Sequence, residues 1–210
     1  MYTLYTSPGT AGMMVHQLLL ELAQPYELHL LDINAGDQRK PEYLKLNPNG
    51  VVPTLLIDGT PRIESSALVM LLAERHPEGR LAPAPGDATR GEYLEWMLIL
   101  AHALQPAYRL WFYPQDLGDG IDHAAVKAGV RAKIETIWAR VDARLADGRP
   151  YMLGDAVSAL DFYTLMLMRW SRNMPKPATS WPHLAAFAAR MKERPSWRRL
   201  YELEGLTEWA

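Results

Sequence analysis

Apolar and polar residues alternate over residues 2 to 6, YTLYT, and Ser7-Pro8-Gly9 ends the run, which predicts a short half-buried strand. The period then changes. Val15, Leu18, Leu19 and Leu22 recur at helical spacing until Gln24-Pro25 stops the pattern, and Tyr26 to Leu31 returns to a strand pattern, giving β-α-β. Thr54 to Ile57 predicts another strand, closed by the short-hairpin signal Asp58-Gly59 and followed by a partner strand through Arg62 and Ile63. Glu64-Ser65-Ser66 then opens a helix carrying Leu68, Leu71 and Leu72 on one face. The resulting order, β-α-β-α-β-β-α, predicts a mixed sheet with helices on both faces.

Pro and Gly punctuate the chain next. His76-Pro77-Glu78-Gly79 and Pro83-Ala84-Pro85-Gly86 mark a linker over 79–87 between a first domain, 1–78, and a second, 88–210. No strand pattern follows it. Trp96, Met97, Leu100 and Leu104 form one helical stripe, and Val126, Val130, Ile134, Ile137, Trp138, Val141 and Leu145 form another, so the second domain is expected to be all-helical. Pro106 should kink or interrupt the first of these helices, Ser158-Ala159-Leu160-Asp161 reads as a capping box, and Arg194-Pro195 breaks the closing helices.

Composition narrows the chemistry. With 210 residues and 49% hydrophobic content the chain can bury a sizeable core. A net charge of −2 with interspersed signs offers no basic stripe for nucleic acid or an anionic membrane. There is no basic-then-apolar leader and no run of about 18 apolar residues, so a soluble cytoplasmic protein is expected. Cysteine is absent, which removes disulfides, thiolate metal ligands and any protein-borne thiol nucleophile. His16 and His102 have no second ligand at metal spacing, so no metal is expected.

Candidate chemistry concentrates in Asn47 to Pro77. Pro53 cannot donate to a strand ladder, so it must open the strand or lie at its edge. A cis Val52-Pro53 bond would turn the Val52 N–H and C=O away from the sheet, where an extended peptide could pair with them as an added strand. At the start of the next helix the first N–H groups lack intrahelical partners and favour a carboxylate, with a Ser hydroxyl as a further donor and Glu64 available for an ammonium group. Asn47, Asn49 and Gly50 shape the preceding turn.

These residues in this order resemble the thioredoxin-like, glutathione-binding domain of the cytosolic glutathione transferases, and the similarity continues over essentially the whole chain. The resemblance implies that Val52 and Pro53 hold the cysteinyl backbone of glutathione and Glu64 and Ser65 its γ-glutamyl end; Asn49, a turn residue, is also able to reach the glycyl end. It also implies an α/β thioredoxin-like domain followed by an all-α domain, a homodimer, and conjugation of the glutathione thiolate to a small hydrophobic electrophile. The Pro8-Gly9 turn with His16 downstream is most similar to the bacterial beta class. The cysteine of that class falls on Ala11, its following serine on Gly12, and its tyrosine on Thr6 or, with a one-residue slip, Tyr5. A serine in this turn serves the insect and theta-like classes, which maps the thiolate donor onto Thr10, with Ser7 and then Tyr5 as alternatives. One charge-assisted hydrogen bond, about 1.5–3 kcal/mol, would lower an ordinary thiol pKa of about 8.5 by on the order of 1–2 units. The family's apolar electrophile pocket, across the cleft between domains, would draw on Gln105, Tyr108, Arg109, Trp111, Phe112 and Tyr113. Two other functions share this scaffold: a non-catalytic carrier of glutathione or an apolar ligand, and a glutathione-dependent reductase of peroxides or disulfides.

Overall fold

The computed structural model describes residues 1–210, which divide into two compact units: Met1–Ala82 together with Lys192–Ala210, and Pro83–Met191. The first unit is built on a four-stranded sheet of order β2-β1-β3-β4, with β1 at Tyr2–Thr6, β2 at Tyr26–Leu30, β3 at Thr54–Ile57 and β4 at Thr60–Arg62. β1 runs parallel to β2, with Tyr2 opposite Tyr26, and antiparallel to β3, with Tyr2 opposite Ile57. β3 and β4 form the hairpin expected around Asp58-Gly59, both of which adopt positive φ. Three helices are interleaved: α1 at Gly12–Glu21, a single turn α2 at Pro41–Leu44, and α3 at Ser65–Arg75.

Alternation along β1 sends Tyr2, Leu4 and Thr6 inward, and these meet α1, whose residues from Gly12 to Leu19 are all buried. A helix buried all round needs cover on both sides. The second cover is the last helix of the chain. In the order of the second unit the helices are α4 at Arg90–Ile99, α5 at Gln105–Phe112, α6 at His123–Leu145, α7 at Ala159–Trp170 and α8 at Pro182–Lys192, and α9 at Pro195–Glu204 follows. The residues of α9 cluster with the first unit rather than with the helices that precede it. Ser196 accepts a hydrogen bond from Gln17 (3.4 Å), and Arg194 pairs with Glu21.

In the second unit, Trp96, Met97, Leu100 and Leu104 are buried together with Ile134, Ile137, Trp138, Val141 and Leu145, whereas Val126 and Val130, at the start of the second stripe, are only half-buried. The interruption associated with Pro106 takes the form of a π turn at Leu100–Leu104 just ahead of it, with the proline in the first turn of α5. Because Pro106 has no N–H, it cannot bond the His102 carbonyl, and the ladder shifts by one residue there. Ser158 and Asp161 close the expected capping box at the start of α7. No helix is long and apolar enough to cross a membrane.

Candidate functional site

Two loops of the first unit carry the chemistry, one before β3 and one after β1. The Val52–Pro53 peptide is cis. The carbonyl just ahead of it, on Val51, is held from two sides: the Tyr43 hydroxyl donates to it at 2.7 Å and the Asn47 side-chain amide at 2.7 Å. Thr54 in turn hydrogen-bonds the Tyr43 oxygen at 2.8 Å, and burial pushes the Tyr43 hydroxyl pKa upward. Asn47 also accepts from the Asn49 N–H at 3.1 Å, and Gly50 turns the chain with φ +61°. None of the chain's hydrogen bonds uses the Val52 N–H or C=O, so that peptide edge remains available for an added strand. Asn49 itself is exposed.

At the start of α3, Glu64 is exposed and adopts φ 69° and ψ 99°, a conformation that L residues rarely take and that costs of order 1–3 kcal/mol. It occupies the N-cap position but supplies no side-chain cap. Ser65 is not a cap either. Its side chain is buried at 6% exposure and engages no hydrogen-bond partner, beside uncapped helix N–H groups. A hydroxyl left without a partner in the chain at a helix N-terminus suits a ligand carboxylate.

The second loop contains the candidate thiolate donors. Thr10 stands just ahead of α1, half-buried, and its hydroxyl donates to the Ser7 carbonyl at 2.7 Å. The Gly12 N–H approaches the Thr10 oxygen at 3.5 Å and the Thr6 hydroxyl lies 3.4 Å from it. Ser7 is buried, and its own hydroxyl has no partner in the chain. Tyr5 is half-buried, stacked on His29 with ring centroids 4.5 Å apart and tilted against Tyr43 at 6.1 Å. Thr6, Thr10 and the Ser7 carbonyl are therefore brought together, while the Tyr5 ring is occupied by its neighbours.

The loop is anchored from the far end of the chain. Glu204 of α9 accepts the Gly9 N–H at 3.0 Å through one oxygen and meets His16 Nδ1 at 2.8 Å through the other. His16 Nε2 reaches the Tyr26 hydroxyl at 2.7 Å, and both His16 and the Glu204 side chain are enclosed. Sequence reading left His16 without a role and did not single out Glu204. A partner about 190 positions away leaves no local periodic signal, although a histidine on the buried face of α1 does require a polar neighbour.

Of the pocket residues expected in the second unit, Tyr108 belongs to the interior. Its side chain is fully enclosed, Trp138 Nε1 donates to its oxygen at 2.9 Å, and burial pushes its pKa well above the usual value. As an enclosed side chain it offers no face to a ligand. Gln105 accepts the Tyr163 hydroxyl. Arg109 pairs with Asp116 at 2.5 Å and lies 4.3 Å over the Tyr113 ring, an ordinary exposed ion pair rather than a charge awaiting a ligand. Trp111 is half-buried, and Phe112 and Tyr113 remain exposed.

Comparison with known proteins agrees with this geometry. Residues 2–80 match the family model of the glutathione S-transferase N-terminal domain. Glutathione S-transferase GST-4.5 of Xanthomonas campestris pv. campestris is 30% identical over 97% of this chain and 98% of its own. Glutathione S-transferase GstA of Escherichia coli is 28% identical over the same shares. Among solved structures, a glutathione transferase homologue from Sulfitobacter with bound glutathione superposes with TM-score 0.89 at 28% identity, covering 99% of each chain. The glutathione S-transferase of Xylella fastidiosa gives 0.88 at 26% identity, covering 99% of this chain and 100% of that one. The chain belongs to the glutathione S-transferase family. It is a glutathione transferase of the bacterial kind, and it contains no cysteine.

Proposed function

We propose that this protein conjugates the thiolate of glutathione to small hydrophobic electrophiles. The observation that carries the reading is the Ser65 hydroxyl, without a partner in the chain, beside the strained Glu64 at the uncapped start of α3, in a unit that also presents the unpaired Val52 peptide. In this reading the Val52 N–H and C=O pair with the cysteinyl backbone, Pro53 supports it, Ser65 and the α3 N–H groups hold the γ-glutamyl carboxylate, and Glu64 meets its ammonium. Asn49 reaches the glycyl end.

Thr10 donates a hydrogen bond to the sulfur at the positive end of α1, and Ser7 is the second donor. The thiol proton passes to solvent, the sulfur lone pair forms a carbon–sulfur bond with the electrophile, and the displaced group leaves with the bonding electrons. Thiolate stabilisation and proximity supply the catalysis, with no covalent intermediate on the protein. The exposed aromatic rings of Phe112 and Tyr113, with the half-buried Trp111, offer apolar surface in the second unit. The homodimer and the cytoplasmic setting follow from the family resemblance.

The thiolate absorbance of bound glutathione, titrated against pH, tests the assignment. In wild-type protein the bound thiol should ionise on the order of 1–2 pKa units below free glutathione, and Thr10→Val should return it by about one unit. Ser7→Ala should move it less. Ser65→Ala should weaken glutathione binding roughly tenfold with the thiol pKa unchanged, since one hydrogen bond to a charged carboxylate is lost. Tight binding with an unshifted thiol would instead identify a carrier.

A further inference from the structure

Gly12 opens α1 in ordinary helical geometry, so its conformation does not call for glycine. Space does. A Cβ built on Gly12 would fall 1.8 Å from Thr6 Oγ1 and 2.6 Å from Thr6 Cβ, and the same point lies 3.4 Å from Pro53 Cβ. Thr6 is fully enclosed at the end of β1, and its side chain fills the volume that any other residue at position 12 would claim. The missing side chain on the helix thus admits a hydroxyl from the strand, next to both Thr10 and the Val52–Pro53 segment.

That hydroxyl has no close partner. It lies 3.4 Å from the Ser7 carbonyl and 3.4 Å from Thr10 Oγ1, whereas the Thr10 hydroxyl sits on the same carbonyl at 2.7 Å. Two hydroxyls therefore share one acceptor, one bonded and one waiting. When Thr10 turns its proton toward a thiolate, the Ser7 carbonyl loses its short hydrogen bond. Thr6, enclosed and within reach of both atoms, is placed to donate either to that carbonyl or to the Thr10 oxygen. In the second arrangement the two hydroxyls act in series, and a hydroxyl that accepts a hydrogen bond donates a stronger one.

We propose that Thr6 is a positioning residue for thiolate stabilisation, which replaces Thr10 on the Ser7 carbonyl or backs it as a donor when Thr10 turns to the glutathione sulfur, and that Gly12 is glycine to admit it. The proposal rests on the reading of Thr10 as the thiolate donor. Thr6 does not touch glutathione, so its loss should appear in the ionisation of the sulfur and not in the grip on the peptide.

The experiment is the pH titration of bound glutathione thiolate in Thr6→Val, Thr6→Ser and Thr10→Val, paired with glutathione affinity at a pH where the thiol is protonated. Thr6→Val keeps the shape and removes the hydroxyl. It should raise the bound-thiol pKa by about half to one unit, a roughly three- to tenfold loss of thiolate at fixed pH, with affinity within about twofold of wild type. Thr6→Ser, which restores the hydroxyl, should titrate like wild type. Thr6→Ala gives the same reading if valine disturbs folding. A wild-type pKa in Thr6→Val beside a raised one in Thr10→Val would overturn the relay and leave the donor standing. No change in Thr10→Val would overturn the donor assignment and the relay with it.

Discussion

At the scale of single residues, helix propensity and packing oppose one another at Gly12. Alanine is favoured over glycine inside a helix by about 1 kcal/mol, so Gly12→Ala should help by propensity alone. The clash with the β-branched, enclosed Thr6 is larger, because both Thr6 Cβ and Oγ1 lie within 2.6 Å of the added carbon and neither can swing into free space. Overpacking of this kind costs typically about 1–3 kcal/mol, and Gly12→Ala should lower stability by about 1–2 kcal/mol net in urea unfolding. This pair also shows what a sequence hides. Pro8-Gly9, Val52-Pro53 and Glu64-Ser65 are legible because each is a local backbone signal with a limited set of uses. That Thr6 and Gly12 share one volume is a fact of space with no mark in spacing, and so a ranking of the candidate hydroxyls from sequence does not contain it.

At the scale of elements, the start of α7 combines a strong local signal with an unusual charge. Asp161 is fully enclosed and accepts from the Met152 N–H at 2.8 Å, the Ser158 N–H at 2.7 Å and the Ser158 hydroxyl at 2.9 Å. Burial pushes its carboxyl up to about 6 against these hydrogen bonds, which favour the anion. A folded-state pKa above the unfolded value of about 3.9 means that the native state holds the proton more tightly. The contribution of this group is full below pH of about 4 and is lost as pH rises through 6. The stability difference between wild type and Asp161→Asn should therefore widen by about 2 kcal/mol as pH falls from 7 to 4, measured by urea titration at each pH. The substituted amide would also face at least one of the three donors with its own NH2, a cost of about 1–3 kcal/mol at neutral pH. The Ser-x-x-Asp box is readable from sequence because its two members are three residues apart. The placement of Tyr108 is not, because an aromatic stripe announces a buried face without saying whether that face lines a core or a pocket.

At the scale of the whole molecule, the chain returns to its beginning. A β-α-β-α-β-β-α pattern implies cover for both faces of a sheet, but it does not say what covers the outer side of α1. Sequence reading places residues 192–210 with the helices preceding them, since they are helical and adjacent in the chain. The structure uses Trp197, Leu200 and Tyr201 to bury α9 in the first unit and Glu204 to reach the Pro8-Gly9 loop. Those contacts span nearly the full chain length, so no local pattern could reveal them. Their consequence is that the loop bearing Ser7 and Thr10 depends on the last helix. Glu204→Ala would leave His16 Nδ1 without its carboxylate in an enclosed place and remove an acceptor of the Gly9 N–H, and a buried group orphaned in this way costs about 1–3 kcal/mol. A loss of about 1–3 kcal/mol is expected in urea unfolding. Faster amide hydrogen exchange at Gly9 and Thr10 than in the sheet would localise the effect to the loop. If the variant kept its stability and Gly9 its protection, the loop would be held by its own turn, and α9 would serve only as apolar cover for α1.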